Sequence, residues 1–464
     1  MPRFEKTLHV PVPVRELFAW HARRGAVDRL VPPWEGVVVE SFERGIEDGR
    51  VVFRMPAPLG FLRWVARHED FVADRRFCDV QERGPFARWR HEHLFEPDGL
   101  AGSCLTDRIE YALPMGRVGA LLGGRMVRRK LDRMFSFRHR RTAGDLERHA
   151  GRGAGATPLA VALTGTGGLV GRALAAFLST GGHRVVRLVR RDARGPDEVR
   201  WEPREGVRDL KALEGLDAVV HLAGAGIADR RWSAARKAEL VESRVGATER
   251  LARSFAHLAA PPKTWIGASA VGVYGDRGDE VLDESSALGT GFLADLGRAW
   301  EAASAAVTAV GTRVVHARLG VVVGAAGGAL KRMRTPFRLG LGGPLGGGRQ
   351  WVSWIALDDV LGAMLALLDA PTLHGPVVLS SPNPVTQREL AMTLGRVLHR
   401  PAFAPMPAAV ARILFGEVAD ALLLSSQRAR PTRLEASGFS FRLPRLEDAL
   451  RFELGEAPAG SDGA

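Results

Sequence analysis

Three glycines at fixed spacing constrain this chain more than any other feature. Gly165, Gly168 and Gly171 stand in TGTGGLVGRALAAFLSTGGH, directly after the short apolar run 159–163. The run reads as a buried strand, and the residues from Leu169 onward carry apolar side chains at helical spacing. Glycine between the two allows a tight turn, close approach of the backbone to a pyrophosphate, and close packing of helix on strand. The first turn of the helix adds free N–H groups and a partial positive charge. Gly165, Gly168, Leu169, Val170 and Gly171 are therefore expected to hold the phosphates of a dinucleotide.

The next expected strand, Arg184–Val189, ends in Arg190 and Arg191. A site for NAD(H) usually places an acidic residue there, against the ribose 2′-hydroxyl. Two guanidiniums suit a 2′-phosphate instead. NADP(H) is thus favoured over NAD(H), and the following Asp192 is the one feature that opposes this. Further apolar runs at 218–222, 264–268 and 313–319 alternate with helical stretches, the pattern of a doubly wound parallel sheet. Leu222, Ala223 and Gly224 fall at a strand end, where ligands of such sheets bind and where small residues let a cofactor lie against backbone.

At 464 residues the chain exceeds one ordinary domain. A seam is visible at 147–158, ERHAGRGAGATP, which has three glycines and no large apolar residue and reads as a linker. Before it come a strand at 4–10, a helix containing Leu17, Phe18 and Trp20, six strand-like runs between 36 and 113, and a long helix at about 118–139. This is an α+β plan, and a curved sheet on a long helix tends to enclose an apolar cavity. The expected division is 1–146, a linker 147–158, a Rossmann domain 159–380, a small C-terminal module 381–455 and a disordered tail 456–464.

Net charge is +13, which raises the question of nucleic acid. The excess is spread through the chain: six net positive charges fall in residues 1–150 and seven in the remainder. The densest cluster, 125–141, interleaves arginines with Met126, Val127, Leu131, Met134 and Phe135, as a solvated amphipathic helix does. No nucleic-acid partner is expected. No apolar run approaches the roughly 18–20 residues of a membrane span, and residues 1–10 do not resemble a secretory signal. With only Cys78 and Cys104, no disulfide framework arises, and a cytoplasmic location is expected.

Residues 1–146, with GPFARWRHEHLFEP at 84–97, resemble the START-like, polyketide-cyclase-type (SRPBCC) ligand-binding superfamily. The resemblance implies a helix-grip fold holding an apolar small molecule. His91 and His93 share one strand face within that motif, but a metal site needs a third ligand that the sequence does not place, so no metal is expected. Residues 159–455, with the glycine triplet, LDAVVHLAG, IGASAVGVYGD and RLGVVVG in order, resemble the extended short-chain dehydrogenase/reductases. GIADRRW at 226–232, PFRLGLGGPLGGGRQW at 336–351, WIALDDV at 354–360 and QRARPTRLEASGFSFR at 427–442 narrow this to the atypical TIGR-type nucleoside-diphosphate-sugar epimerase family. This implies a Rossmann domain with a small substrate-side domain after it.

In that superfamily, acid/base work at a carbinol falls to a Tyr with a Lys four residues on, helped by a Ser at an earlier strand end. Ser269 matches the serine. The pair is missing: Leu293 and Gly297 stand in its place, the chain holds only Tyr111 and Tyr274, and no Lys occurs between Lys263 and Lys331. Tyr274 is a candidate proton or hydrogen-bond donor, and Asp276 a candidate base if burial raises its pKa. A packing tyrosine and a turn aspartate are the alternatives. Arg349, in a glycine-rich loop, is a candidate for closing over a substrate diphosphate or carboxylate. Asp358 and Asp359 are expected to cap the helix they begin. Two readings follow. One is an NADP(H)-dependent reductase or epimerase acting on a carbonyl or carbinol, nucleotide sugars included; the other is a protein that senses NADP(H) without turnover.

Overall fold

The computed structural model describes residues 1–57, 60–153 and 155–458. Most of the tail expected at 456–464 thus lies outside the described residues. The first part forms one antiparallel sheet of seven strands: β1 (Arg3–Val10), β2 (Val38–Glu43), β3 (Arg50–Ala57), β4 (Gly60–Val72), β5 (Arg76–Arg83), β6 (Arg88–Asp98) and β7 (Gly102–Ala112). Their order is β1-β7-β6-β5-β4-β3-β2. Burial alternates strictly along β7, so one face is covered and the other solvated. Helices α1 (Val14–Ala22) and α2 (Gly25–Leu30) follow β1, and the long helix α3 (Gly116–Ala150) follows β7. Phe135 of α3 meets Phe4 and His91 of the sheet, at ring separations of 5.4 and 5.3 Å.

The second part is an eight-stranded sheet: β8 (Ala160–Leu163), β9 (Arg184–Val189), β10 (Glu198–Glu202), β11 (Gly206–Val207), β12 (Ala218–His221), β13 (Thr264–Ala270), β14 (Arg313–Leu319) and β15 (Gly375–Leu379). The order β11-β10-β9-β8-β12-β13-β14-β15 is parallel throughout except for the short β11. Leu174, Phe177, Leu361 and Leu365 fill one face, Leu251, Phe255 and Trp265 the other. Helix α4 (Leu169–Thr180) leads from the glycine turn, α5 (Phe292–Ala302) packs beside β13, and α6 (Leu357–Asp369) lies on the sheet. In the C-terminal region, helices Gln387–Val397 and Leu446–Leu454 share a core with Phe137 of α3.

Helix α3 corrects two expectations. It runs to Ala150, well past residue 139 and into the first four residues of the stretch expected to be linker. The helix end and the residues after it are tied down as well: Arg148 bonds Asp359 at 3.1 Å, His149 stacks on Phe177 at 4.5 Å, and Arg152 forks onto Asp369 at 2.8 and 2.9 Å. Nor do Asp358 and Asp359 cap a helix with their side chains. They lie in the first turn of α6, buried under the N-terminal part. Arg29 forks onto Asp145 at 2.7 and 2.5 Å and reaches Asp358 at 3.1 Å; Arg141 reaches Asp358 at 3.3 Å and Glu453 at 3.1 Å. Asp359 accepts the backbone N–H groups of Arg442 and Leu443. Among the described residues no helix is long and apolar enough to cross a membrane.

Candidate active site

The strand order reverses at β8, which has β9 on one side and β12 on the other. A cleft opens at the carboxyl ends of these strands, as expected at such a switch point, with a volume of about 1530 Å³. It is lined by Gly165–Gly168, Arg187, Arg190, Arg191, Arg204 and Leu222–Gly226. The turn is glycine for steric reasons. Gly165 has φ +72°, and a Cβ there would sit 2.8 Å from the Leu222 carbonyl; a Cβ on Gly171 would sit 2.3 Å from the Gly165 oxygen. Leu169, Val170 and Gly171 form the first turn of α4 and do not line the cleft with side chains. What they offer is the free N–H groups of a helix N-terminus.

The two arginines after β9 behave differently. Arg191 forks onto Glu198 of β10 at 2.7 and 2.6 Å and bonds the Asp192 carbonyl, and this pairing pulls the Glu198 carboxyl down to about 2. Arg190 is exposed in the cleft with no side-chain partner, free to meet an anion. Asp192 pairs with Arg200 at 2.6 Å and does not line the cleft. These residues fit a ribose bearing a 2′-phosphate.

Behind the turn, Thr164 Oγ1 accepts the N–H groups of Leu222 and Ala223 at 3.0 and 3.1 Å and lies 2.8 Å from His221 Nδ1. Its own proton therefore goes to Nδ1, which leaves the proton of a neutral imidazole on Nε2, bonded to Thr248 at 3.0 Å. Burial, which pushes His221 down to about 4, keeps it neutral. Leu222, Ala223 and Gly224 are held in place by this relay. Ala225 is clamped from its two sides by Ser243 and Arg244, which stand in a π-turn at Glu242–Gly246.

The expected catalytic residues are arranged otherwise than the sequence suggested. Ser269 ends β13, 2% exposed, and donates to Glu301 Oε1 at 2.7 Å. Arg318 of β14 donates to both Glu301 oxygens at 2.8 Å and to the Tyr274 hydroxyl at 3.0 Å. Burial alone would raise Glu301, but Arg318 outweighs it and holds the carboxyl below the ordinary glutamate range. Tyr274 is fully buried with Val273, Leu282 and Val378, and burial pushes its phenol up to about 12. It is a core residue and not a loop residue over the cleft. Asp276 is exposed and accepts the N–H groups of Gly278 and Ser426, at 3.3 and 3.1 Å, so it has the turn role and lacks the burial a base here requires. At the place of the missing lysine, a Cβ on Gly297 would lie 2.2 Å from Val273 Cγ1. Close packing of α5 on the 271–274 turn fills the position.

A family model described as NAD dependent epimerase/dehydratase family matches residues 161–378, and one described as a domain of unknown function matches 406–453. An epimerase family protein of Mycobacterium bovis is 46% identical over 292 residues, 63% of this chain and 96% of that relative. The chain belongs to the NAD dependent epimerase/dehydratase family. A crystal structure of a nucleoside-diphosphate sugar epimerase from Corynebacterium glutamicum is 34% identical, with a TM-score of 0.82 over 98% of this chain and 91% of that one. Its likeness thus extends through the N-terminal part. The human epimerase family protein SDR39U1, solved with NADPH, is 35% identical with a TM-score of 0.60, over 64% of this chain and 99% of that one.

Three polar residues of this epimerase-family chain were not singled out from sequence. For Glu301 the signal that it is buried is positional, since it follows Gly297 by one helical turn on the face turned to β13. Arg318 opens the motif RLGVVVG and reads as a strand residue. Arg244 has no carboxylate partner, leaves one Nη1 buried without a hydrogen bond, and is pushed down to about 10 by burial. Arg349 is exposed, has no side-chain partner, and does not line the cofactor cleft.

Proposed function

We propose that this chain binds NADP(H) and acts as an atypical reductase or epimerase on a carbonyl or carbinol substrate, nucleotide sugars included. The observation that carries the reading is the cleft at the strand-order reversal, with a glycine turn at one end and the unpaired Arg190 at the other. NADPH in the human relative supports the same preference. The cofactor, when bound, supplies or accepts hydride. Ser269 is the residue of this chain best placed to orient a substrate oxygen. Its proton is committed to Glu301, so its lone pairs are left to accept from a carbinol O–H. Arg318 keeps Glu301 ionised and in register. Arg244 and Arg349 are the cations offered to a substrate anion. The small C-terminal module, 381–455, forms the substrate side.

For residues 1–146 we infer a START-like helix-grip domain with a small-molecule ligand, apolar over most of its surface. Seven antiparallel strands closed by one long helix, with Phe18, Phe77 and Phe95 clustered on the inner side of the sheet, support it.

The second reading, an NADP(H) sensor without turnover, is favoured by one observation: Ser269, Glu301, Arg318 and Tyr274 form a closed chain, and no tyrosine–lysine pair stands beside the cleft. Nicotinamide fluorescence titrations with NADPH and NADH, with Gly168→Asp as control, test the shared premise. Binding of NADPH well ahead of NADH, lost in the variant, is expected; no binding of either removes both readings. Steady-state oxidation of NADPH with a panel of carbonyls then separates them. Turnover that falls in Ser269→Ala selects the enzyme, and absence of turnover across the panel selects the sensor.

A further inference from the structure

The inner face of the N-terminal sheet holds a polar cluster that the cofactor chemistry does not use. Strand register assembles it: His68 of β4 lies opposite Asp79 of β5, Asp79 opposite His91 of β6, and His93 of β6 opposite Asp107 of β7. The sequence alone placed only the two histidines of β6, with no third ligand; cross-strand pairing supplies it. Asp79 Oδ2 lies 3.1 Å from His93 Nε2 and 3.5 Å from His91 Nδ1. One oxygen and two nitrogens, all within 4.8 Å of one another, thus converge.

We propose that Asp79, His91 and His93 form a binding site for a first-row divalent transition metal ion of the zinc class. Two features carry this beyond mere proximity. The spacing is right: metal–ligand bonds of 2.0–2.1 Å in tetrahedral array put ligand atoms about 3.3 Å apart, and the two distances to Asp79 bracket that value. The outer shell is also present. Each histidine turns its second ring nitrogen to Asp107, His91 Nε2 at 2.8 Å and His93 Nδ1 at 2.9 Å from the same oxygen, while His139 holds the other oxygen at 2.6 Å. The Asp107 carboxylate behind His91 fixes the tautomer that leaves Nδ1 free for a metal.

The charges agree. Asp79 and Asp107 face the site with Arg138 as the cation in reach, which leaves one negative charge in excess. A buried excess of negative charge favours a bound cation. Phe77 stacks on His93 at 4.1 Å and Phe95 lies near, giving a low-dielectric wall, while Asp79, 21% exposed in its side chain, marks the route of entry. Three protein ligands leave a position open, the pattern of sites that bind or polarise a small molecule.

The test is titration of the metal-stripped full chain with Zn²⁺, and with Co²⁺ as a spectroscopic probe. One equivalent bound and a d–d absorption of low-symmetry Co²⁺ are expected. Asp79→Asn should abolish binding, and Asp107→Asn should weaken it roughly 10–100-fold. Histidine ¹⁵N shifts of the wild-type chain on Zn²⁺ addition provide a readout that needs no variant to fold. Absence of stoichiometric binding, shifts confined to other histidines, or unchanged binding in a folded His91→Gln/His93→Gln variant would overturn the proposal.

Discussion

The parallel sheet gathers polar groups at its strand ends, Ser269 on β13 and His221 on β12 with Thr164 beside it, whereas the antiparallel sheet carries His68, Asp79, His91, His93 and Asp107 on a face, in mid-strand. The difference follows from how each sheet is covered. Parallel strands need helical crossovers on both faces, so only their carboxyl ends open to ligand. The antiparallel sheet is joined by hairpins and its inner face is closed by helices, so polar chemistry placed there sits inside the domain. Histidine shows the consequence. Among threonine hydroxyls His221 is held neutral, at about 4; between two carboxylates His93 is held charged, at about 9.

The largest expected effect tests whether the two sheets are one folding unit. Asp358→Ala breaks two buried ion pairs and leaves Arg29 only Asp145 and Arg141 only Glu453 as carboxylate partner, at a cost of about 3–5 kcal/mol. Calorimetry should show the single transition of the parent chain split in two, only one of which NADPH shifts upward. A lowered but single transition would mean that the apolar contacts of Phe137 and Phe452 couple the parts without the ions.

Next comes the opposite pH response of the two histidines. His93, raised above its unfolded value near 6.5, contributes stability in full below pH 6.5 and loses it as pH rises through 9, roughly 3 kcal/mol in all. His221, lowered to about 4, contributes in full above pH 6.5 and loses a similar amount as pH falls through 4. His149 and His183, lowered to about 3 and 4, add to the acid limb. Chemical denaturation across pH should therefore show His93→Gln flattening the alkaline limb and His221→Asn the acid limb. If each variant flattens the other limb, the comparison fails.

A smaller effect sharpens the cofactor end. Arg190→Ala should weaken NADPH about tenfold, ~1.4 kcal/mol, and leave NADH unchanged, since only the 2′-phosphate meets that guanidinium. Equal loss for both cofactors would place Arg190 on the pyrophosphate. Ser269→Ala should cost the least stability, about 1 kcal/mol in urea unfolding, because Glu301 keeps both Arg318 bonds when the serine hydroxyl is gone.

Much of this was legible because it is local. The glycine triplet, the strand before it and the helix after it lie within one short segment, and the geometry that excludes a Cβ at Gly165 and Gly171 is the reason for the pattern. The missing tyrosine–lysine pair was equally plain, from an inventory of two tyrosines and six lysines. For Tyr274 and Asp276 the sequence left two roles open, because a residue near a strand end can turn toward the cleft or into the core. Only the packing of 271–274 on α5, and the bond from Arg318 forty-four positions on, decides which. The stretch 147–158 has the composition of a linker, yet Arg148, His149 and Arg152 find partners at Asp359, Phe177 and Asp369, far away in sequence.

By itself, then, the sequence determined the order of elements, the parallel sheet and the phosphate-binding turn, because strand, turn and helix propensities act over a few residues and glycine's steric freedom belongs to the residue alone. Tertiary structure decided which charges are buried together. Asp358 between Arg29 and Arg141, Glu301 between Ser269 and Arg318, and Asp79 between His68, His91 and His93 are all meetings of distant strands and helices. A buried charge survives only with its partners, and strand register and helix docking, which no local pattern encodes, bring those partners together.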